Sequence, residues 1–182
     1  KTLLTVFISS LLMAVIVSCS DTKTDDPKSL LAGVSKNTAP NTLDKKEIKN
    51  GWQLLFDGKT SDGWHGYNMK SFPDCWTIED NCFTMTTVGG AESQDIITDR
   101  KYRDFAFSVE YKLTAAANSG IIYQVAEDTI YKFPYETGPE FQVIDHEGWP
   151  DRLEEWQSNG ANYAMYPPMT KPYRPVGEWN HL

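Results

Sequence analysis

Residues 139 to 148 read PEFQVIDHEG, and three polar side chains, Glu140, Gln142 and Asp145, interrupt an otherwise apolar run. Carboxyl groups on such a surface can cleave a glycosidic bond, one protonating the departing oxygen while another acts as base or nucleophile. Strand alternation sends Glu140 and Gln142 to one face, and Phe141 and Val143 to the other. Asp145 joins the first pair only if a β-bulge inserts a residue between them, and bulges do occur beside active sites. Glu110 lies on the polar face of another alternating run. The candidate acid–base set is therefore Glu140 and Asp145, with Glu110 in support. Taken singly, an acid on a strand's polar face is ordinarily just solvated.

Aromatic residues could complete such a site, because sugar ring faces pack well on aromatic side chains. Trp149, Trp156, Tyr163 and Tyr166 sit in a Pro-rich stretch, where they either pack a rim or touch a ligand. Trp52, Trp64 and Trp76 read as core. His146 reads first as a polar loop residue and second as a site contact. CWTIEDNCF lacks the His or third Cys that a zinc site requires, and there is neither a Gly-rich phosphate loop nor an H-E-x-x-H pair. No metal or cofactor is called for. A net charge of -8 without any Lys/Arg cluster speaks against nucleic acid as a partner.

The elements that must position these residues are strands. In FAFSVEYKL, residues Phe105, Phe107, Val109, Tyr111 and Leu113 share one face, while Ala106, Ser108, Glu110 and Lys112 share the other. The short runs WTIED, CFTMTTV, DIIT, GIIYQV and EFQVI are separated by the turn-forming DGKTSDG, EDN, VGG and ANSG. No helical period of useful length appears, apart from a short helix expected over Thr42 to Lys49 with Thr42 at its N-cap. The fold class expected is all-β, an antiparallel β-sandwich. Pro150, Pro167, Pro168, Pro172 and Pro175 make the stretch from Trp149 onward loop-like. Of the 23 aromatic residues, 22 lie between Trp52 and Trp179, so the compact unit begins near Gly51.

The opening KTLLTVFISSLLMAVIVSCSD has the layout of a secretory leader, with one basic residue, an apolar run from Leu3 to Val17 and then Ser18-Cys19. The run is shorter than the roughly 20 residues of a membrane-spanning helix. IVSC resembles a bacterial lipobox, which implies removal of residues 1–18, lipidation of Cys19 and a lipid-anchored protein of the cell envelope that meets the membrane through that anchor alone. Residues 19–41 are too polar to fold alone and read as a flexible tether, leaving 42–182 as the sandwich domain. Cys75 and Cys82 then either form a disulfide or stay as two buried thiols.

Seven motifs in order, LLFDGKTSDGW, WTIED, ITDRKYRDFAFSVEYKL, NSGIIYQV, TGPEFQVIDHEGWPD, NGANYAMYPP and VGEWNHL, resemble the DUF1080 or 3-keto-disaccharide hydrolase domain family over residues 51–182. The resemblance implies a jelly-roll sandwich of the concanavalin A-like type in a protein that processes carbohydrates, and further strands beyond GEWNHL. Gln124 stands where the family often has Arg. Glu140-x-Gln142-x-x-Asp145 also looks like the E-x-D-x-x-E signature of laminarinase-type glucanases, with Gln for the middle acid and Asp for the last. On a 3-keto sugar the ketone acidifies the C2 proton, so the C1 substituent can leave by β-elimination, followed by hydration. That route needs a base at C2, donors near the C3 oxygen and an acid at the leaving oxygen. The binding set implied comprises Gln142, Asn118, Gln124, His146, Trp149, Tyr163 and Tyr166. The expected function is a hydrolase or lyase acting on an oligosaccharide or glycoside; the alternative is a glycan-binding module that uses the same face.

Overall fold

In the computed structural model the described residues are 5–13, 39–86, 93–103, 105–169 and 173–182. They are almost wholly β, with ten strands: β1 (Thr5–Met13), β2 (Gln53–Leu54), β3 (Trp64–Gly66), β4 (Trp76–Glu79), β5 (Cys82–Thr86), β6 (Ile96–Thr98), β7 (Ser108–Leu113), β8 (Asn118–Ile122), β9 (Glu140–Ile144) and β10 (Trp179–His181). The main sheet runs β10-β7-β1-β5-β4, with β2 also on β1; β3-β6 and β8-β9 form two-stranded sheets. All pairings are antiparallel. The all-β sandwich expected from alternation is the fold observed.

Two clusters fill the interior, and β7 serves both. Val109 joins Phe56, Cys75, Trp76, Phe83 and Met85, whereas Tyr111 and Leu113 join Ala117 and Val143, with Ile121 and Phe141 packed against them. The inward faces of β8 and β9 therefore lie over β7 as a second layer. In the first cluster Phe83 stacks on Phe56 at 3.9 Å between centroids and meets the edge of Trp64 at 5.6 Å. Trp52 and Trp76 are buried, and the Trp64 indole donates to the Leu55 carbonyl at 2.7 Å, so all three serve the core. Cys75 and Cys82 are buried free thiols.

The one helix is shorter than expected. α1 spans Lys45–Lys49, and its N-cap is Asp44, not Thr42. Asp44 accepts from the backbone N–H of Lys46 and Glu47, while Glu47 accepts from the N–H of Asp44. This reciprocal pair satisfies more of the helix's open donors than a lone Thr hydroxyl does.

The stretch read as a leader contributes β1, which lies between β5 and β7. Thr5 to Ser9 pair with Thr86 to Cys82, and Val6 to Leu12 pair with Leu113 to Ser108 across a register shift between Ser9 and Leu11. An apolar run rich in Val, Ile, Leu and Phe suits the centre of a sheet as well as the middle of a leader. Among the described residues no helix is long and apolar enough to cross a membrane.

Candidate active site

β8 and β9 pair without a break from Asn118↔Ile144 to Ile122↔Glu140. Phe141, Val143 and Ile121 face the sandwich interior, so Glu140 and Gln142 lie on the outer side of this layer, opposite Ile122 and Gly120. Gly120 sets where this acid rests: a Cβ at position 120 would overlap the Glu140 carboxyl group and push it aside. The missing side chain lets that carboxyl lie down over the neighbouring strand.

Glu140 is half-buried, and burial, followed by the negative charge of Asp95, holds its pKa above the ordinary glutamate value. Asp95, which leads into β6, is an exposed residue whose carboxyl is nevertheless pushed up by the protein around it. A carboxyl kept protonated to higher pH by burial and by a negative charge nearby has the electrostatics expected of a general acid.

The site backbone is tied at several points. Tyr163 donates its N–H to the Glu140 carbonyl at 2.8 Å, and Tyr123 donates its N–H to the Pro139 carbonyl at 3.1 Å. Asn162 donates from its amide to the Tyr123 hydroxyl at 3.2 Å. Tyr163 meets Trp156 edge-on at 5.6 Å, and both are exposed, as is Tyr166, which is 66% exposed. Aromatic surface thus flanks Glu140.

Asp145 does not join this group. The continuous register leaves no bulge in β9, so Asp145 falls on the opposite side of the strand from Glu140. Its oxygens accept from the N–H of Ala116 at 2.8 Å and of Gly148 at 3.0 Å. Ala116 has φ of 56°, a left-handed conformation unfavourable for alanine, and Asp145 helps to hold it. Asp145 is a turn fastener.

Glu110 is also elsewhere. It is paired in register with His181 of β10 and Ser9 of β1, on the side of β7 opposite to Val109 and Tyr111. Glu110 and Glu140 therefore face outward from opposite layers.

Among the expected binding residues, Gln142 is only 4% exposed and its side-chain oxygen accepts from the N–H of Val143, which leaves it enclosed. Asn118 is exposed at the start of β8, and Gln124 is exposed in a left-handed conformation just past that strand. His146 and half-buried Trp149 follow the far end of β9. His146 packs on Tyr173 at 5.9 Å and, with Leu153, Glu155 and Ser158, lines a separate pocket of about 80 Å³. Tyr163 is bonded through its backbone to Glu140 and Tyr166 to the adjacent Asn162, whereas His146 and Trp149 lie beyond the far end of β9. Asp95, Gly120 and Tyr123 are the site residues that sequence reading missed. DIIT was read only as a strand, and a glycine opposite an acid-bearing strand was the available signal for Gly120. Among the described residues no group of three His, Cys, Asp or Glu could hold a metal ion.

A half-buried carboxyl on a sandwich strand, next to a segment with exposed aromatic rings, offers the kinds of group that sugars are bound by. The chain belongs to the family of 3-keto-alpha-glucoside-1,2-lyase-like domains, whose description matches residues 51–182. It is similar to a 3-keto-disaccharide hydrolase of Bacteroides thetaiotaomicron, at 31% identity over 91% of this chain and 66% of that one. It is also similar to a crystal structure described as a candidate glycosyl hydrolase from Parabacteroides distasonis. There the TM-score is 0.70 and the identity 41%, covering 78% of this chain and 66% of the other. The chain thus spans slightly less than two thirds of the length of each.

Proposed function

We propose that the protein cleaves glycosidic bonds of 3-keto-glycosides by carboxylate acid–base chemistry, with Glu140 and Asp95 as the working pair. The observation that carries this reading is the half-buried Glu140 carboxyl laid over Gly120, its pKa raised by burial and then by the charge of Asp95, with exposed Tyr163 bonded through its backbone to the same residue. The family membership and the name of the Bacteroides relative support the substrate class. Asp95, as the carboxylate, takes the C2 proton, made acidic by the neighbouring ketone. The electron pair forms the C1=C2 bond, the C1–oxygen bond breaks, and Glu140 gives its proton to the departing oxygen. Water then adds across C1=C2, and the net reaction is hydrolysis. Exposed Asn118, on the same face of β8 as Gly120 but at the far end of the pair from Glu140, is a further amide donor on this surface. In the cell we propose a lipid anchor at Cys19, on the evidence of IVSC.

The test is sugar release from a 3-keto-glucoside bearing deuterium at C2. Slower release than from the protium substrate is expected if the C2 proton is taken in the slow step, with Asp95→Asn losing about a hundredfold or more in turnover. Tight binding of the glycoside without any release would instead identify a glycan-binding module, for which the exposed aromatic rings already provide the surface.

A further inference from the structure

Asp95 and Glu140 belong to different sheets, so something must hold β6 against the β8–β9 pair. The seam is made by β3 and the turn after it on one side, and by the loop 123–131 that follows β8 on the other. Tyr67 donates its hydroxyl to the Ala126 carbonyl at 3.1 Å. Asn68 donates its backbone N–H to Glu127 at 2.9 Å, and its amide to the carbonyls of Asp128 and Tyr131 at 3.2 and 2.9 Å. The remaining link is His65, whose Nδ1 lies 2.6 Å from Asp99 Oδ1 and whose Nε2 lies 3.0 Å from Glu127 Oε1. His65 pairs with Ile97 in the centre of β6, with Asp95 before that strand and Asp99 just after it. The loop bearing Glu127 begins at Tyr123, which is bonded to the residue preceding Glu140.

We propose that His65, bonded at once to Asp99 and Glu127, is a positioning residue that sets the approach of Asp95 to Glu140. This rests on the reading of that carboxyl pair as the reacting groups. Both ring nitrogens can donate only when the imidazole is protonated, so the clip closes fully as the cation. Burial works against that charge, but hydrogen bonds to Asp99 and Glu127 and their negative charge outweigh it and hold the pKa of His65 above 6.5. The charged groups facing the ring are Asp99, just after β6, and Glu127, from the loop. Because the folded pKa is raised, the clip contributes fully below about pH 6.5 and weakens as pH rises through the folded value. The neutral ring can donate to only one carboxylate and turns a lone pair towards the other.

The experiment follows the Glu140 carboxyl and the His65 ring by NMR titration in the full chain, with kcat and KM measured alongside on a 3-keto-glucoside. In His65→Gln the midpoint of Glu140 should fall towards the ordinary glutamate value, because the charge of Asp95 and the packing around Glu140 are both loosened. Turnover should drop at least about tenfold with KM changed less than about threefold, as displaced acid–base groups require. Glu127→Gln, which keeps the shape of the loop contact, should lower the His65 midpoint and shift Glu140 in the same direction. It also serves if His65→Gln does not fold. An unchanged Glu140 midpoint in a folded variant would overturn the proposal. That readout stands even if the wild-type protein releases no sugar, so failure of the functional reading and failure of the positioning role are told apart.

Discussion

The Glu140 carboxyl lies over Gly120 of the adjacent strand, in space that any other residue's Cβ would occupy. The acid is thereby laid flat and half out of water, and burial, with the negative charge of Asp95 added, raises its pKa. Sequence alone places Glu140 on a polar strand face, but the bare backbone opposite decides where on that face its carboxyl rests.

Gly120→Ala should therefore act on catalysis more than on folding. The Glu140 side chain must swing away, and misplacing a reacting group by about 1 Å can cost on the order of a hundredfold in rate. Turnover falling by that order while the circular dichroism spectrum is unchanged is the expected result.

Ionising Glu140 in its crowded position costs stability. Since its folded pKa lies above the ordinary value of 4.5, the folded state holds the proton longer than the unfolded chain, and stability falls as pH rises through that window. Glu140→Gln should be more stable than wild type at pH 7 and lose this advantage below about pH 4.5. Thermal melts at the two pH values measure the difference.

Asp145→Ala tests the fastener role. Removing the carboxylate leaves the N–H groups of Ala116 and Gly148 without their acceptor, at a cost of about 1–3 kcal/mol in urea unfolding. Its effect on turnover should track lost folded protein, whereas an acid–base residue would reduce turnover in protein that remains folded.

Period-2 alternation made β4, β5, β7 and β9 legible, and it already sent Asp145 to the wrong side of β9 unless a bulge intervened. What it could not report was layer. Glu110 and Glu140 both occupy polar strand faces, yet β7 and β9 pack their inner faces together, so those polar faces point apart. Asp95 was illegible for a related reason: its meeting with Glu140 depends on how β3–β6 docks through the Tyr67, Asn68 and His65 contacts. Only tertiary packing fixes that docking.

The N-terminal stretch gives a fourth test. If Cys19 is lipidated and residues 1–18 are removed, mass spectrometry of the membrane fraction should show a chain beginning at acylated Cys19. In that mature form β5 and β7 lose the neighbour they share in β1, leaving two open strand edges unless another strand fills the position. A chain recovered with Leu3 to Val17 intact would instead favour retention of β1 in the sheet.

The acid–base role of Glu140 is tested most directly by measuring Glu140→Gln for both turnover and binding of a 3-keto-glucoside. An amide keeps the shape and most hydrogen bonds but cannot deliver the proton. Turnover at least about a hundredfold below wild type, with affinity for the substrate changed only a few-fold, is the expected outcome. Undiminished turnover in the variant would contradict it, as would a wild-type protein that binds the sugar through Trp156 and Tyr163 and never cleaves it.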